Sequence, residues 1–182
     1  MMKKYRTIVA DPPWDIGTIP KWGKTLGQNP FHYPTMTVKE ITSLDVGVLA
    51  DSDSHLYLWT VNKYVKEAYD IALGWGFKPS KLLCWIKNPI GLGIGGTFVP
   101  CVEYCLFSTK GKVDAKIRIN KNWWLLPRGK HSEKPKEFMS LIESVSHPNY
   151  LELFARKRFN NKWDVWGNEV ESDIELKQRE DI

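Results

Sequence analysis

Asp11, Pro12, Pro13 and Trp14 are the residues of this sequence best suited to chemistry. A carboxylate, two rigid imino acids and a flat ring suit methyl transfer to an aromatic amine, whose nitrogen lone pair is delocalised. The Asp11 carboxylate can accept one amino hydrogen and the Pro12 carbonyl the other, which localises that lone pair for attack. Trp14 offers a face on which an unstacked base can rest. We therefore predict a catalytic loop over these four residues.

The same tetrapeptide also has a purely structural interpretation. It can simply turn the chain, with Trp14 in the core and Asp11 as a turn residue. The apolar run Thr7-Ile8-Val9-Ala10 before it predicts a short buried strand, which the two prolines end. A strand that delivers a carboxylate to a loop favours the catalytic interpretation, but these residues alone leave both open.

A basic stretch lies between residues 110 and 136, where nine Lys and Arg stand against Asp114 and Glu133, with Trp123 and Trp124 among them. Cations displace counterions from a phosphate backbone and aromatic rings stack on bases, so this pattern predicts contact with nucleic acid. A solvated loop whose tryptophans join the core explains the pattern equally well. The predicted contacts are Lys116, Arg118, Lys121, Arg128, Lys130 and His131.

Other classes of site and compartment find little support. Three cysteines and four histidines show no C-x-x-C or His-rich spacing, so we predict no metal and reduced thiols. No signal or membrane-spanning run is present, which predicts a cytoplasmic protein without membrane contact. The glycine run 91–96 lacks the capped helix of a phosphate loop, and we expect a substrate-side loop there.

Apolar runs alternate with helical patterns, which predicts an α/β fold with a mainly parallel sheet. The predicted strands are Thr7 to Ala10, His55 to Thr60, Lys81 to Ile86, Val102 to Ser108, Trp123 to Leu126, Tyr150 to Phe154 and Trp163 to Trp166. The predicted helices begin at a capping box on Thr37, at an N-cap on Asn62 and at Pro135. Ligands bind at the carboxyl ends of parallel strands, which is where the chain places Asp11 and the residues after Phe154.

Length and composition predict a single domain over residues 1–170. Residues 171–182 hold five acids against Lys177 and Arg179, and we expect a frayed, solvated acidic tail.

Further motifs follow the loop Ala10-Asp11-Pro12-Pro13-Trp14-Asp15-Ile16 in order, over nearly all of residues 5–170. They are Leu56-Tyr57-Leu58-Trp59, Trp75-Gly76-Phe77, Trp85-Ile86-Lys87, His131-Ser132-Glu133-Lys134-Pro135, Glu152-Leu153-Phe154-Ala155-Arg156 and Trp163-Asp164-Val165-Trp166-Gly167-Asn168-Glu169. With these motifs the chain resembles the MT-A70-like family of nucleic-acid adenine-N6 methyltransferases, of the bacterial and phage type.

The resemblance implies a Rossmann-like methyltransferase fold in permuted order, with the catalytic loop first and the cofactor strand late. It also implies S-adenosylmethionine as cofactor, bound by Asp11, by Lys134 at the methionine carboxylate, and by Arg156, Asn168 and Glu169 at the ribose and adenine. An ordinary surface role for the two cations is the alternative.

Some positions depart from the family pattern or stay ambiguous. Only ten residues precede Asp11, where larger relatives carry an Asp-containing segment that lines the cofactor adenine. Phe159 stands where some relatives have a ribose-binding Asn, and Glu169 where many have Gln, so we expect weak cofactor affinity. His131 either orders the loop beneath the base or is a structural histidine.

The leading hypothesis is methyl transfer to the 6-amino group of adenine, with DNA slightly favoured over RNA because the chain is compact. Two alternatives remain: a noncatalytic nucleic-acid-binding partner subunit and a cytosine 4-amino methyltransferase. The intact catalytic loop argues against the subunit. The resemblance leaves open whether the protein acts alone, as a homodimer or with a partner subunit.

Overall fold

The computed structural model describes residues 3–16, 34–88, 97–129 and 133–179. The elements in these ranges are β1 (Tyr5–Ala10), α1 (Val38–Ser43), α2 (Val46–Leu49), β2 (Ala50–Thr60), a 3₁₀ turn (Asn62–Tyr64), α3 (Val65–Gly74), β3 (Lys78–Asn88), β4 (Val102–Lys110), β5 (Trp123–Pro127), α4 (Lys136–Val145), β6 (Tyr150–Leu153) and β7 (Trp163–Trp166). Several predictions lie outside the described residues: the glycine run 91–96, Lys130 and His131.

The described strands form one sheet in the order β5-β3-β4-β2-β1-β6-β7. Four of the six pairings are parallel, and β4 runs antiparallel to both of its neighbours, β2 and β3. From β1 the chain continues to β2 on one side and returns much later to β6 on the other. The predicted mainly parallel, Rossmann-like α/β fold is confirmed, and the switch point between β1 and β6 is where such sheets bind ligands.

Alternation along the strands divides the core into two apolar layers, one on each face of the sheet. Ile8 and Ala10 of β1 join the layer that packs against α1, α2 and α3. Val9 points to the other layer, which contains Phe138 and Ile142 of α4. Burial on both faces therefore explains why the last three residues of β1, Ile8, Val9 and Ala10, are all apolar.

The local predictions are largely confirmed, with two differences. The capping box is present, because the Thr37 hydroxyl accepts from the Glu40 amide and the Glu40 carboxylate accepts from the Thr37 amide. The expected N-cap on Asn62 is wrong: a 3₁₀ turn begins there, and α3 follows with Tyr64 at its N-cap position. The short helix α2 was not predicted, because four residues are too few for helical periodicity to show.

The prediction of a frayed tail is wrong for residues 171–179. The Asp173 carboxylate accepts from the Val165 amide, 2.8 Å away, which holds the chain beside β7. Farther along, the Arg179 guanidinium bonds the Asp45 carboxylate at 3.0 Å, and the side chain of Leu176 packs on the core. Acidic composition suggested solvation, but each of these contacts depends on a partner distant in sequence.

No helix in the described ranges is both long and apolar enough to cross a membrane.

Candidate active site

The switch point of the sheet presents Asp11 at the end of β1. Ala10 pairs with Leu153 of β6, and the Asp11 amide donates to the Leu153 carbonyl at 3.4 Å. Because β1 and β6 run parallel, their carboxyl ends meet at one edge, hereafter the catalytic edge. Asp11 therefore lies beside the turn that follows β6, as predicted.

The loop after Asp11 is a tight, internally bonded turn. The Trp14 amide donates to the Pro12 carbonyl at 2.9 Å, and the Met36 amide donates to the Pro13 carbonyl at 2.8 Å. A carbonyl oxygen has two lone pairs, so Pro12 retains acceptor capacity beyond its bond to Trp14. The two prolines and these bonds together fix the orientation of the Pro12 carbonyl.

Trp14 is a packed residue. Its side chain belongs to the core and is 7% exposed, its indole N–H donates to the Trp59 carbonyl at 3.0 Å, and its ring stacks on Tyr64 with centroids 5.1 Å apart. One face of the indole is thus occupied by Tyr64. This packing anchors the catalytic loop, and the role of Trp14 as a stacking surface for a base stays a prediction.

Lys134, just before α4, brings the charged groups of the site together. Its ammonium lies 2.7 Å from the Asp11 carboxylate and 3.3 Å from that of Glu103, and 5.2 Å from the centre of the Trp59 ring. Lys87 pairs with the other oxygen of Glu103 at 2.5 Å. We call Asp11, Lys134, Glu103 and Lys87 the charged cluster.

Burial and charge act against each other within the charged cluster. Burial raises the pKa of Asp11 above its ordinary value, although the Lys134 ammonium opposes this shift. Burial alone would also raise the pKa of Glu103, but Lys134 and Lys87 outweigh it and the net shift is downward. Burial would lower the pKa of Lys134, but Asp11 and Glu103 outweigh it and raise that pKa. Lys134 is therefore a firmly protonated counter-ion.

A cleft of about 390 Å³ opens beside the charged cluster. Four of the five predicted cofactor ligands line it: Asp11, Lys134, Arg156 and Glu169. The Arg156 Nε donates to the Glu169 carboxylate at 2.8 Å, with both side chains about half exposed. Asn168 is exposed next to Glu169 and is not among the cleft-lining residues.

The backbone around this cleft is tightly constrained. Phe154 has a φ of 63°, a left-handed conformation that is unusual for a bulky residue and is often found at functional sites. A Cβ on Gly167 would lie 2.2 Å from the Ala155 carbonyl oxygen, so only glycine allows the turn after β7 to approach the turn after β6. The cleft is built where these two turns touch.

Sequence reasoning missed Glu152, which lines the cleft from β6 and pairs in register with Val9. Burial, and then repulsion by the Asp11 carboxylate, raise the pKa of Glu152 to about 7. Sequence reasoning also missed Glu103 and Lys87 as site residues. The available signals were an acid at the start of the Glu152–Arg156 motif and a lone acid, Glu103, in an apolar strand.

The predicted nucleic-acid contacts are separated by the fold. The Lys116 amide donates to the Val145 carbonyl at the end of α4, and its ammonium contacts the hydroxyl of Tyr150, the first residue of β6. Lys116 therefore lies at the edge opposite the catalytic edge. Lys121 and Arg128 flank β5, which extends past the catalytic edge. Arg118, which stands between Lys116 and Lys121 in the sequence, is exposed.

Among the described residues, no group of three or more His, Cys, Asp or Glu side chains is arranged to hold a metal ion.

Comparison with known proteins gives a consistent result. The type II methyltransferase M.MunI from a Mycoplasma species is 29% identical over 198 residues, covering 99% of this chain and 84% of M.MunI. An N(6)-adenosine-methyltransferase MT-A70-like protein from Arabidopsis thaliana is 26% identical, covering 91% of this chain and 24% of its own length. The human N(6)-adenosine-methyltransferase catalytic subunit METTL3 is 26% identical, with 94% and 29% covered. The chain thus spans about a quarter of these two longer relatives.

The model of one protein family, MT-A70, matches residues 5–169, from the first residue of β1 to the predicted cofactor ligand Glu169. This range contains the catalytic loop, the charged cluster and the cleft. The resemblance inferred from the motifs is confirmed, and the chain belongs to the MT-A70 family.

Proposed function

We propose that this protein transfers a methyl group from S-adenosylmethionine to the 6-amino group of adenine in a nucleic acid. One observation carries the proposal: the carboxylate of the Asp-Pro-Pro-Trp loop lies at the switch point of the sheet, beside a cleft lined by residues that suit the cofactor. The names of the relatives, which specify methyltransferases and in two cases N(6)-adenosine, support the same reaction.

The lining of the cleft fits the chemical groups of the cofactor. Carboxylates at Asp11 and Glu152 suit its sulfonium and ammonium charges, and Glu169 can accept hydrogen bonds from ribose hydroxyls. Phe154 and Phe159 offer apolar surface for the adenine. When bound, S-adenosylmethionine supplies a methyl group activated by its positively charged sulfur.

Asp11 and Pro12 prepare the nucleophile. The Asp11 carboxylate accepts one hydrogen of the target amino group and the Pro12 carbonyl accepts the other, which favours a tetrahedral nitrogen whose lone pair is less shared with the ring. Once the new N–C bond has formed, the Asp11 carboxylate can take the proton that the positively charged nitrogen releases. A carboxylate has about four acceptor positions, so Asp11 can bond the amine while it remains paired with Lys134.

Lys134 keeps Asp11 in the form that this role requires. Only the ionised carboxylate is a pure acceptor, and burial works against ionisation. The ammonium at 2.7 Å opposes that effect, while Glu103, itself paired with Lys87, holds the ammonium from the other side. The role of Lys134 at the methionine carboxylate is compatible with this arrangement, because an ammonium has three donors.

We favour DNA slightly over RNA as the substrate. The alignment with M.MunI, named a type II methyltransferase, covers most of both chains. The alignments with the two N(6)-adenosine relatives cover only about a quarter of those relatives' length. The cytosine alternative makes the same demand on Asp11, so product analysis has to separate the two bases.

The test uses radiolabelled S-adenosylmethionine with double-stranded DNA, single-stranded DNA or RNA, followed by digestion to nucleosides. We expect label in N6-methyladenine, and a loss of about 10²- to 10³-fold in Asp11→Ala and Asp11→Asn because the acceptor charge is gone. Thermal unfolding of each variant shows that it is folded. Label in Asp11→Ala at the wild-type level would refute the role of Asp11, and label in 4-methylcytosine in place of N6-methyladenine would refute the adenine assignment.

A further inference from the structure

The edge strand β5 exposes one of its two faces. Trp123 and Leu125 are 49% and 56% exposed, although both are large apolar side chains. The alternate residues Trp124 and Leu126 point to the opposite face and pack on the core layer that contains Phe138. The alternation of a strand therefore places one tryptophan inside and its neighbour outside.

One cation lies against this exposed face, and further cations are near it in the sequence. The ammonium of Lys121 lies 5.3 Å from the centre of the Trp123 ring, and Arg128 follows directly after the strand. Residues 115–129 contain four Lys and Arg and neither Asp nor Glu. An exposed indole in a purely basic segment complements a polyanion that carries flat bases, and it complements an acidic or neutral protein surface less well.

The strand register places Trp123 level with the catalytic loop. Trp123 pairs with Cys84, Cys84 with Tyr104, and Tyr104 with Thr60, which lies two residues beyond the partner of Ala10. Within the sheet, four strand spacings separate β5 from β1, a distance of about 19 Å at 4.8 Å per strand. At about 3.4 Å per nucleotide this corresponds to five or six nucleotides of a stacked strand, and fewer of an extended one. The Trp123 side chain lies on the face opposite Val9, Trp59 and Met139 of the cleft lining, so a bound strand has to pass along the edge of the sheet.

We propose that Trp123, with Lys121, forms a stacking platform for an unpaired base that lies several nucleotides from the target adenine on the same single strand. This inference rests on the proposed function and adds the position and the kind of strand that the protein holds. Lys121 neutralises a phosphate next to the stacked base, while the base covers the exposed indole. Trp123 contacts nucleic acid but not the reacting atoms, so it acts on binding.

The test measures binding of single-stranded DNA of mixed sequence to the whole chain by fluorescence anisotropy, with probes of 24 and 5 nucleotides. For the long probe we expect Trp123→Ala to raise Kd about tenfold, in line with about 1–3 kcal/mol per stacked base, and Trp123→Phe to raise it much less. For the short probe centred on adenine, Trp123→Ala should match the wild type. Lys121→Ala should reduce the salt dependence of log Kd by about 0.7.

Tyr69→Ala provides the matched control, because Tyr69 is an exposed aromatic residue on α3 and is 37% exposed. It should leave both probes unaffected. An unchanged Kd for the long probe in Trp123→Ala would overturn the proposal, as would a loss of self-association in that variant, which would identify a protein interface. Failure of the proposed function is distinguishable, since the wild type would then form no N6-methyladenine whatever Trp123 binds.

Discussion

Two polar clusters lie on the same face of the sheet, and they are built in opposite ways. The charged cluster borders the cleft and holds its groups by ion pairs of 2.5–3.3 Å. Toward the opposite edge, Ser146 bonds both His55 Nδ1 and the Tyr57 hydroxyl at 2.8 Å, with all three side chains buried. We call these three residues the neutral cluster.

The difference separates two reasons for keeping polar groups inside a protein. Burial lowers the pKa of His55 to about 4 and raises that of Tyr57, so both groups are neutral at physiological pH and each has its hydrogen-bond partner. The side chains of this network provide hydrogen-bond partners for one another. The charged cluster instead keeps ions in a half-buried position next to open space, which costs desolvation and is typical of a site that receives a charged or polar ligand.

Lys134→Met should have the largest effect, because it leaves Asp11 and Glu103 without their shared counter-ion. We expect methyl transfer to be lost and the free energy of unfolding to fall by about 3 kcal/mol at pH 7, as for other broken buried ion pairs. Denaturant titration measures the stability, and Lys66→Met, in an exposed pair with Asp70, is the control. A variant as stable as the wild type would show that Lys134 is not the counter-ion of the cluster.

Ser146→Ala should have a smaller effect, and on stability alone. It deprives His55 and Tyr57 of a buried partner, which costs about 2 kcal/mol in the free energy of unfolding. Methyl transfer at a temperature well below unfolding should stay within about twofold of the wild type, because no member of the neutral cluster lines the cleft. A large loss of activity in a folded Ser146→Ala protein would break the distinction between the two clusters.

Glu152→Gln should have the smallest effect of the three at pH 5, and its effect should grow as pH rises. The pKa of about 7 lies above the ordinary value of 4.5, so between these pH values the folded protein holds a proton that the unfolded chain has released. Wild-type stability therefore falls through this window as pH rises, by at most about 1.4 kcal/mol per pH unit. The variant cannot ionise, so its advantage should grow by about 2.5 kcal/mol from pH 5 to pH 8.

Denaturant titrations of both proteins at several pH values measure this advantage. The contribution of His55 to the pH dependence of stability has the opposite sign, because its lowered pKa makes the free energy of unfolding rise between about pH 4 and 6.5. This contribution is the same in both proteins and cancels in the difference. An advantage of Glu152→Gln that stays constant from pH 5 to pH 8 would contradict the raised pKa.

The sequence by itself determined most of the elements and the edge of the sheet at which the candidate site lies. Apolar alternation, the capping box at Thr37 and the prolines after Ala10 act over a few residues, so the strands, helix α1 and the catalytic loop were predictable. Ordered motifs also identified the family, and four of the five predicted cofactor ligands line one cleft.

Only the tertiary structure decided which side chains meet. Glu103 reaches Lys134 because β4 enters the sheet antiparallel between β2 and β3, and no local pattern predicts that order. The same long-range packing buried Trp14 against Tyr64, moved Lys116 to the far edge and left Trp123 exposed on β5. Short-range periodicity determines which face of a strand is apolar. The strands that lie beside it depend on contacts across the whole chain, and composition and motif spacing do not predict those contacts.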